Sequence, residues 1–164
     1  MRYDQQPPNF LFLLQIAAAL TLFGYASLCF AGKSPLPVLY WNEQWLSSTV
    51  QILSGMSWKE YLASPATARF WQWVEWGMGT LLALSAISVI GSKFIPRISA
   101  AFLFAGAFII LLFSVLYGFD KIFFWAQTPE YALQWGSPML LAVGLLSKNK
   151  SRILTGLRIA TAIT

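Results

Sequence analysis

Four long apolar runs, separated by connections rich in proline and polar residues, organise this chain: residues 10–31, 70–90, 98–119 and 129–147. A helix rises about 1.5 Å per residue and the hydrocarbon core of a bilayer is about 30 Å thick, so about 20 apolar residues suffice to cross it. The pattern predicts an all-α fold. The expected architecture is a four-span transmembrane helix bundle with amphipathic helices in the first outer loop, one polytopic membrane domain over residues 1–164.

The run boundaries carry helix signals. Pro7 and Pro8 precede the first run, and Gly32 and Pro35 follow it. That stretch is longer than a typical signal-peptide core, only Arg2 supplies a positively charged lead, and Cys29-Phe30-Ala31 is a poor cleavage site, so it reads as a retained span. Ser64 is placed to cap the second helix with Pro65 at its first position, and Gly91 to end it. Pro96 opens the third. Thr128 caps the fourth, Pro129 starts it and Glu130 complements its dipole. Pro138 interrupts the fourth helix, which predicts a kink and a freed carbonyl at Gln134.

The loop over residues 32–69 has its own pattern. Trp41, Trp45, Ile52, Leu53 and Met56 recur at helical spacing in a segment too short to span, so it should lie along the interface or dip into the bundle mouth. Gly55 can end it, and Ser57-Trp58-Lys59-Glu60 matches a capping box for a second short helix. Together they would form a lid over the outer end of the bundle; a passive amphipathic loop lying on lipid is the alternative.

Composition narrows the chemistry. The chain is 57% hydrophobic and only 10% charged, against about 25% charge for a soluble domain, so it lacks the polar surface to coat a globule. Its net charge of +5 is spread over short loops, which fits membrane orientation and argues against nucleic acid as a partner; membrane lipid is the expected surroundings. Arg2, Lys93, Arg97, Lys148, Lys150, Arg152 and Arg158 fall on one side, and Lys33, Lys59, Arg69 and Lys121 on the other. That places both termini in the cytoplasm of a multi-pass protein of the cell inner membrane. All eight tryptophans, Trp41, Trp45, Trp58, Trp71, Trp73, Trp76, Trp125 and Trp135, fall in loops or span ends of the opposite, outer side. The tail over residues 148–164 mixes Ile and Leu with four cations and suits an anionic lipid surface.

The chain has no histidine and one cysteine, Cys29. A His-ligated haem, copper or iron, a thiolate cluster and a Cys–Cys redox pair are therefore all excluded, and no metal or covalently held cofactor is expected. No catalytic nucleophile pair stands out. What remains are polar residues inside apolar spans. Glu75 leads, since a carboxylate among lipid-facing residues normally turns inward and finds a partner. Gln72 and Trp76 flank it on the second span. Tyr117, Asp120 and Lys121 end the third, and Gln134 and Ser137 form a stripe on the fourth. In an up-down bundle these ends meet outside, which predicts a small polar, aromatic-rimmed ligand pocket under the lid. A structural ion pair of Glu75 with Lys121 or Arg69 is the alternative. Gln15 is expected to bond across helices. Ala17 with Thr21, Gly79 with Ala83 and Ala101 with Ala105 are spaced for close helix packing.

The run Glu75-Trp76-Gly77-Met78-Gly79-Thr80-Leu81-Leu82-Ala83-Leu84, followed by Gly91 and by Pro96-Arg97, resembles the DoxX-like family. The preceding Leu53-Ser54-Gly55-Met56-Ser57 and Tyr61-Leu62 are similar to the helical loop before that motif. The resemblance covers roughly residues 35–146, while Gly24-Tyr25 through Gly32-Lys33 departs from the family's pattern at the end of the first span. It implies a four-helix membrane protein that acts as a small subunit of a quinone-linked oxidoreductase or as the membrane partner of a soluble redox enzyme. Quinone is then the implied ligand, Glu75 the residue carried over, and a soluble or membrane redox protein the implied partner. A lipid- or isoprenoid-binding protein or small transporter without redox activity is the competing expectation.

Overall fold

The computed structural model describes residues 9–120 and 128–146, with side chains over 12–119 and 131–146. Within them the fold is all-helical: α1 (Asn9–Phe30), α2 (Pro37–Tyr40), α3 (Glu43–Ser54), α4 (Trp58–Ala63), α5 (Pro65–Gly91), α6 (Pro96–Asp120) and α7 (Thr128–Leu146). The expectations for Arg2, Lys121, Trp125 and the tail lie outside the described residues, as do those for the side chains of Asp120 and Glu130.

The four long helices close a ring. α1 packs on α5 and α7, and α6 packs on the same two, so α1 stands diagonally across from α6. Leu22, Leu82, Leu103, Ile110 and Phe113 fill the centre with no solvent exposure. Three of the four helices are long and apolar enough to cross a membrane, through Phe12–Phe30, Pro65–Gly91 and Pro96–Phe119. Within the described residues α7 offers a shorter apolar stretch, Tyr131–Leu146. Outward-facing side chains match a hydrocarbon surrounding: Leu20, Phe108 and Ile90 are 67%, 68% and 78% exposed. In water such surfaces would favour association; against lipid tails they are the ordinary exterior.

Local signals set the helix ends. Ser64 accepts the Thr67 amide at 3.5 Å and Pro65 leads α5, five residues ahead of the apolar run, because a cap rather than hydropathy decides where this helix begins. α1 ends in a Schellman turn: Lys33 N–H reaches the Leu28 carbonyl at 2.9 Å, Gly32 N–H reaches Cys29 at 3.2 Å, and Gly32 takes φ +63°. Gly55, at φ +69°, ends α3, and α4 opens on a reciprocal capping box between Ser57 and Glu60. In α7, Pro138 is buried in the helix, and Ser137 Oγ donates at 3.5 Å to the Gln134 carbonyl that the proline leaves without an amide partner.

Small residues allow the closest passes. A Cβ at Gly106 would lie 2.7 Å from Leu22 Cδ2 and 3.0 Å from Ser85 Oγ, and one at Gly79 would lie 3.0 Å from Cys29 Cβ. Gly79 thus packs as expected, whereas Ala17 and Ala101 point outward. Gln15 Nε2 donates across to Ser92 Oγ at 3.4 Å, as expected for a polar residue in the first span. Ser85 Oγ sits 2.7 Å from the carbonyls of both Leu81 and Phe102, tying α5 to α6.

The long loop is divided between two tasks. α2 packs against α6 and closes the bundle end where α1 finishes and α5 begins. α3 has no buried residue, holds Trp45 edge-on to Phe119 at 5.1 Å, and leaves Ile52 and Leu53 exposed, so it lies beside the mouth rather than in it.

Candidate functional site

Glu75 is 5% exposed, ten residues into α5, at the level where α1 ends. The Schellman turn at Gly32 folds the chain back so that Ser34 and α2 pass over it. Ser34 Oγ donates to Glu75 Oε1 at 2.9 Å, and the Tyr40 hydroxyl donates to the same oxygen at 3.3 Å. Pro35 and Pro37 bracket this segment, fixing φ at two positions between the two donors. Ser34 Oγ also receives the Leu36 amide at 3.4 Å, which locks its hydroxyl toward the carboxylate. Hydrogen bonds to a charged acceptor are the stronger kind, so two hydroxyls on one carboxylate oxygen pin α2 to α5.

An aromatic wall surrounds these contacts. Tyr40 stacks on Trp71 at 4.8 Å, with an interplanar angle of 16°, and meets Trp41 edge-on at 4.8 Å. Trp71 Nε1–H donates to the Tyr61 hydroxyl, which donates to the Tyr40 carbonyl at 3.3 Å. Trp58 stacks on Tyr61 at 5.0 Å. Trp71 and Glu75 are four residues apart on α5, so one helix face presents both the wall and the carboxylate.

Glu75 Oε2 is left over. Among the described residues it has no hydrogen-bond partner, and no cation pairs with the carboxylate. Arg69, one of the two candidate partners, turns its Nε to the Pro65 carbonyl at 3.4 Å instead. Gly32 flanks Oε2 without a side chain; a Cβ there would stand 3.9 Å from it.

The other sequence-derived positions separate into two groups. Gln72 and Trp76 are exposed on α5 and are not brought to Glu75; Trp76 lines an outward groove of about 630 Å³ with Phe30, Trp73, Gly77 and Thr80. Gln134 and Ser137 belong to a different place, the α1–α7 contact, where the Tyr25 hydroxyl donates to Gln134 Oε1. Tyr117 stacks on Tyr131 at 6.1 Å, joining the end of α6 to the start of α7. Trp135 borders a groove with Phe104, Phe108 and Leu111, half-way along α6 rather than at its end, and so stands apart from the tryptophans of the lid. The sequence reading overlooked Ser34, Tyr40 and Gly32. The signal for them was the Gly32-Lys33-Ser34-Pro35-Leu36-Pro37 turn, whose prolines hold two hydroxyl donors close to the end of a span.

Burial, the neighbouring negative Glu75 and the hydrogen bond it accepts push the Tyr40 hydroxyl up to about 12. An unfolded tyrosine loses its proton near 10, so the folded form keeps its proton where the unfolded chain gives it up. Stability from this group is complete below pH 10 and is lost as the pH rises to 12. Tyr40→Phe should flatten part of the alkaline loss in unfolding midpoint measured in mild detergent; an unchanged alkaline profile would contradict the contact.

The geometry defines a membrane-type helix bundle with a lidded carboxylate at one end. No protein-family model matches the chain, and no curated protein or solved structure matches it either.

Proposed function

We propose that this chain is an integral membrane subunit of a redox complex, of the DoxX-like type, and that it contacts a quinone or quinol head at Glu75. The observation that carries the reading is the buried carboxylate whose Oε1 is held by Ser34 and Tyr40 and whose Oε2 has no partner among the described residues. An acceptor oxygen without a partner among the described residues fits the hydroxyl of a hydroquinone, beside the aromatic wall of Tyr40 and Trp71. Electrons would pass to or from a soluble or membrane redox protein, since a chain without histidine and with a single cysteine holds no usual redox metal alone. In this reading α7 is the fourth span and completes the ring of helices. The seven-to-four distribution of Lys and Arg supports cytoplasmic termini in an inner membrane.

The groove of Phe30, Trp73, Trp76, Gly77 and Thr80 favours a second reading, a lipid- or isoprenoid-binding membrane protein or small transporter without redox activity. Mass spectrometry of everything retained after mild-detergent purification separates the two. Quinone, or a redox protein, in stoichiometric amount is expected; an isoprenoid lipid alone would move the assignment to the second reading.

A further inference from the structure

At the opposite end of α5, about 24 Å along the helix from Glu75, the chain turns into α6 through Lys93, Phe94 and Ile95. The turn is exposed, with Phe94 at 86%, and α6 then begins at Pro96 and Arg97. From this turn a groove of about 380 Å³ rises along the α5–α6 face, lined by Leu81, Arg97, Ile98, Ala101, Phe102 and Ala105.

Three features distinguish the groove from a gap between helices. Arg97, Ala101 and Ala105 are spaced by four, so they lie on one stripe of α6 and the groove extends about 12 Å from its charged end. Ala101 is exposed and Ala105 half-buried at the groove, and their small side chains give it depth, while Leu81, Ile98 and Phe102 form its sides. Arg97 makes no hydrogen bond or ion pair among the described residues, and Lys93 is equally uncommitted.

We infer that this groove binds an anionic phospholipid, its phosphate at Arg97 and Lys93 and one acyl chain along Ala101 and Ala105. The groove carries the distribution of such a lipid in reverse: one cationic end at the start of a membrane-crossing helix, then apolar walls directed into the hydrocarbon layer. A guanidinium matches a phosphate with two parallel hydrogen bonds. A zwitterionic lipid would fill the apolar part and present its own cation beside Arg97. A free anion would satisfy Arg97 and leave the groove uncovered. Phe94 is exposed in the same turn, next to Lys93. The site is independent of the Glu75 reading.

The test is native mass spectrometry of the full chain in mild detergent, titrated with dioleoyl phosphatidylglycerol and dioleoyl phosphatidylcholine. The anionic lipid is expected to bind about fivefold or more tightly than the zwitterionic one. Arg97→Gln should abolish that preference, while Arg69→Gln, at the other end of α5, should retain it. Ala101→Leu, an exposed position whose added bulk fills the groove, should weaken both lipids. Equal affinities in the parent protein, or a preference that survives Arg97→Gln, would overturn the proposal, and unchanged binding in Ala101→Leu would remove the acyl chain from the groove. Circular dichroism of each variant confirms that the helices are retained.

Discussion

Glu75→Leu is expected to destabilise the folded chain by about 2–4 kcal/mol, while Glu75→Gln should leave its stability within about 1 kcal/mol of the parent. Leucine removes the acceptor and strands the hydroxyls of Ser34 and Tyr40, both buried, and each unpaired donor costs about 1–3 kcal/mol. Glutamine keeps a carbonyl oxygen where Oε1 stands, so both hydroxyls remain paired and α2 stays seated on α5. The amide nitrogen then replaces Oε2, turning an acceptor into a donor at an oxygen that has no partner among the described residues. The two variants therefore separate the structural role of this carboxylate from its ligand role. Unfolding midpoints in mild detergent read the first role, and equal loss in both variants would show that the charge itself, rather than the two hydrogen bonds, holds the lid.

The second large effect is expected at Gly106. Gly106→Val should cost about 3 kcal/mol or more, since overpacking a filled interior forces side chains and backbone to shift. The nearest atom, Leu22 Cδ2 at 2.7 Å, belongs to a side chain with no exposure, and Ser85 on α5 closes the other side, with Oγ at 3.0 Å and Cβ at 3.1 Å. Neither neighbour has space to yield, so α1, α5 and α6 would have to separate. Gly24 is the matching control, because a Cβ added there would meet nothing within 4 Å; Gly24→Ala should be neutral or stabilising by up to about 1 kcal/mol through helix propensity. A Gly106→Val protein as stable as the parent would contradict the close three-helix crossing.

The helices were legible because their signals are local. Ser64-Pro65, Gly55 and the Ser57–Glu60 box each act within a turn or two of chain and set a helix end as their chemistry dictates, and Pro138 leaves the Gln134 carbonyl to the Ser137 hydroxyl. Gln15 was legible for the same reason: a polar amide in an apolar helix has to look for a partner. Glu75 stood out by its cost in lipid, but the identity of its partners was not legible. Those partners come from Ser34 and Tyr40, 41 and 35 residues away, and a Pro-bracketed turn reads as a simple connection until its direction is known. Gln72 and Trp76 show the limit of helical spacing as a guide. They are three residues before and one after Glu75, yet α5 turns them outward, because the α1 contact on Gly79 sets which face of the helix is buried. Tyr25 was hidden by its neighbours: an aromatic in an apolar span looks like packing, and only the fold brings its hydroxyl to Gln134.

Binding of a short-tailed hydroquinone to the purified full chain, compared between parent, Glu75→Gln and Gln72→Ala, tests the central claim most directly. Loss of a hydrogen bond to a charged acceptor is worth about 1.5–3 kcal/mol, or roughly tenfold to a hundredfold in affinity. The expected result is saturable binding that weakens by that factor in Glu75→Gln and is unchanged in Gln72→Ala, whose side chain faces away from the site. Equal affinity in the parent and Glu75→Gln would contradict the quinone-contacting role and leave Glu75 as the residue that fastens α2 to α5.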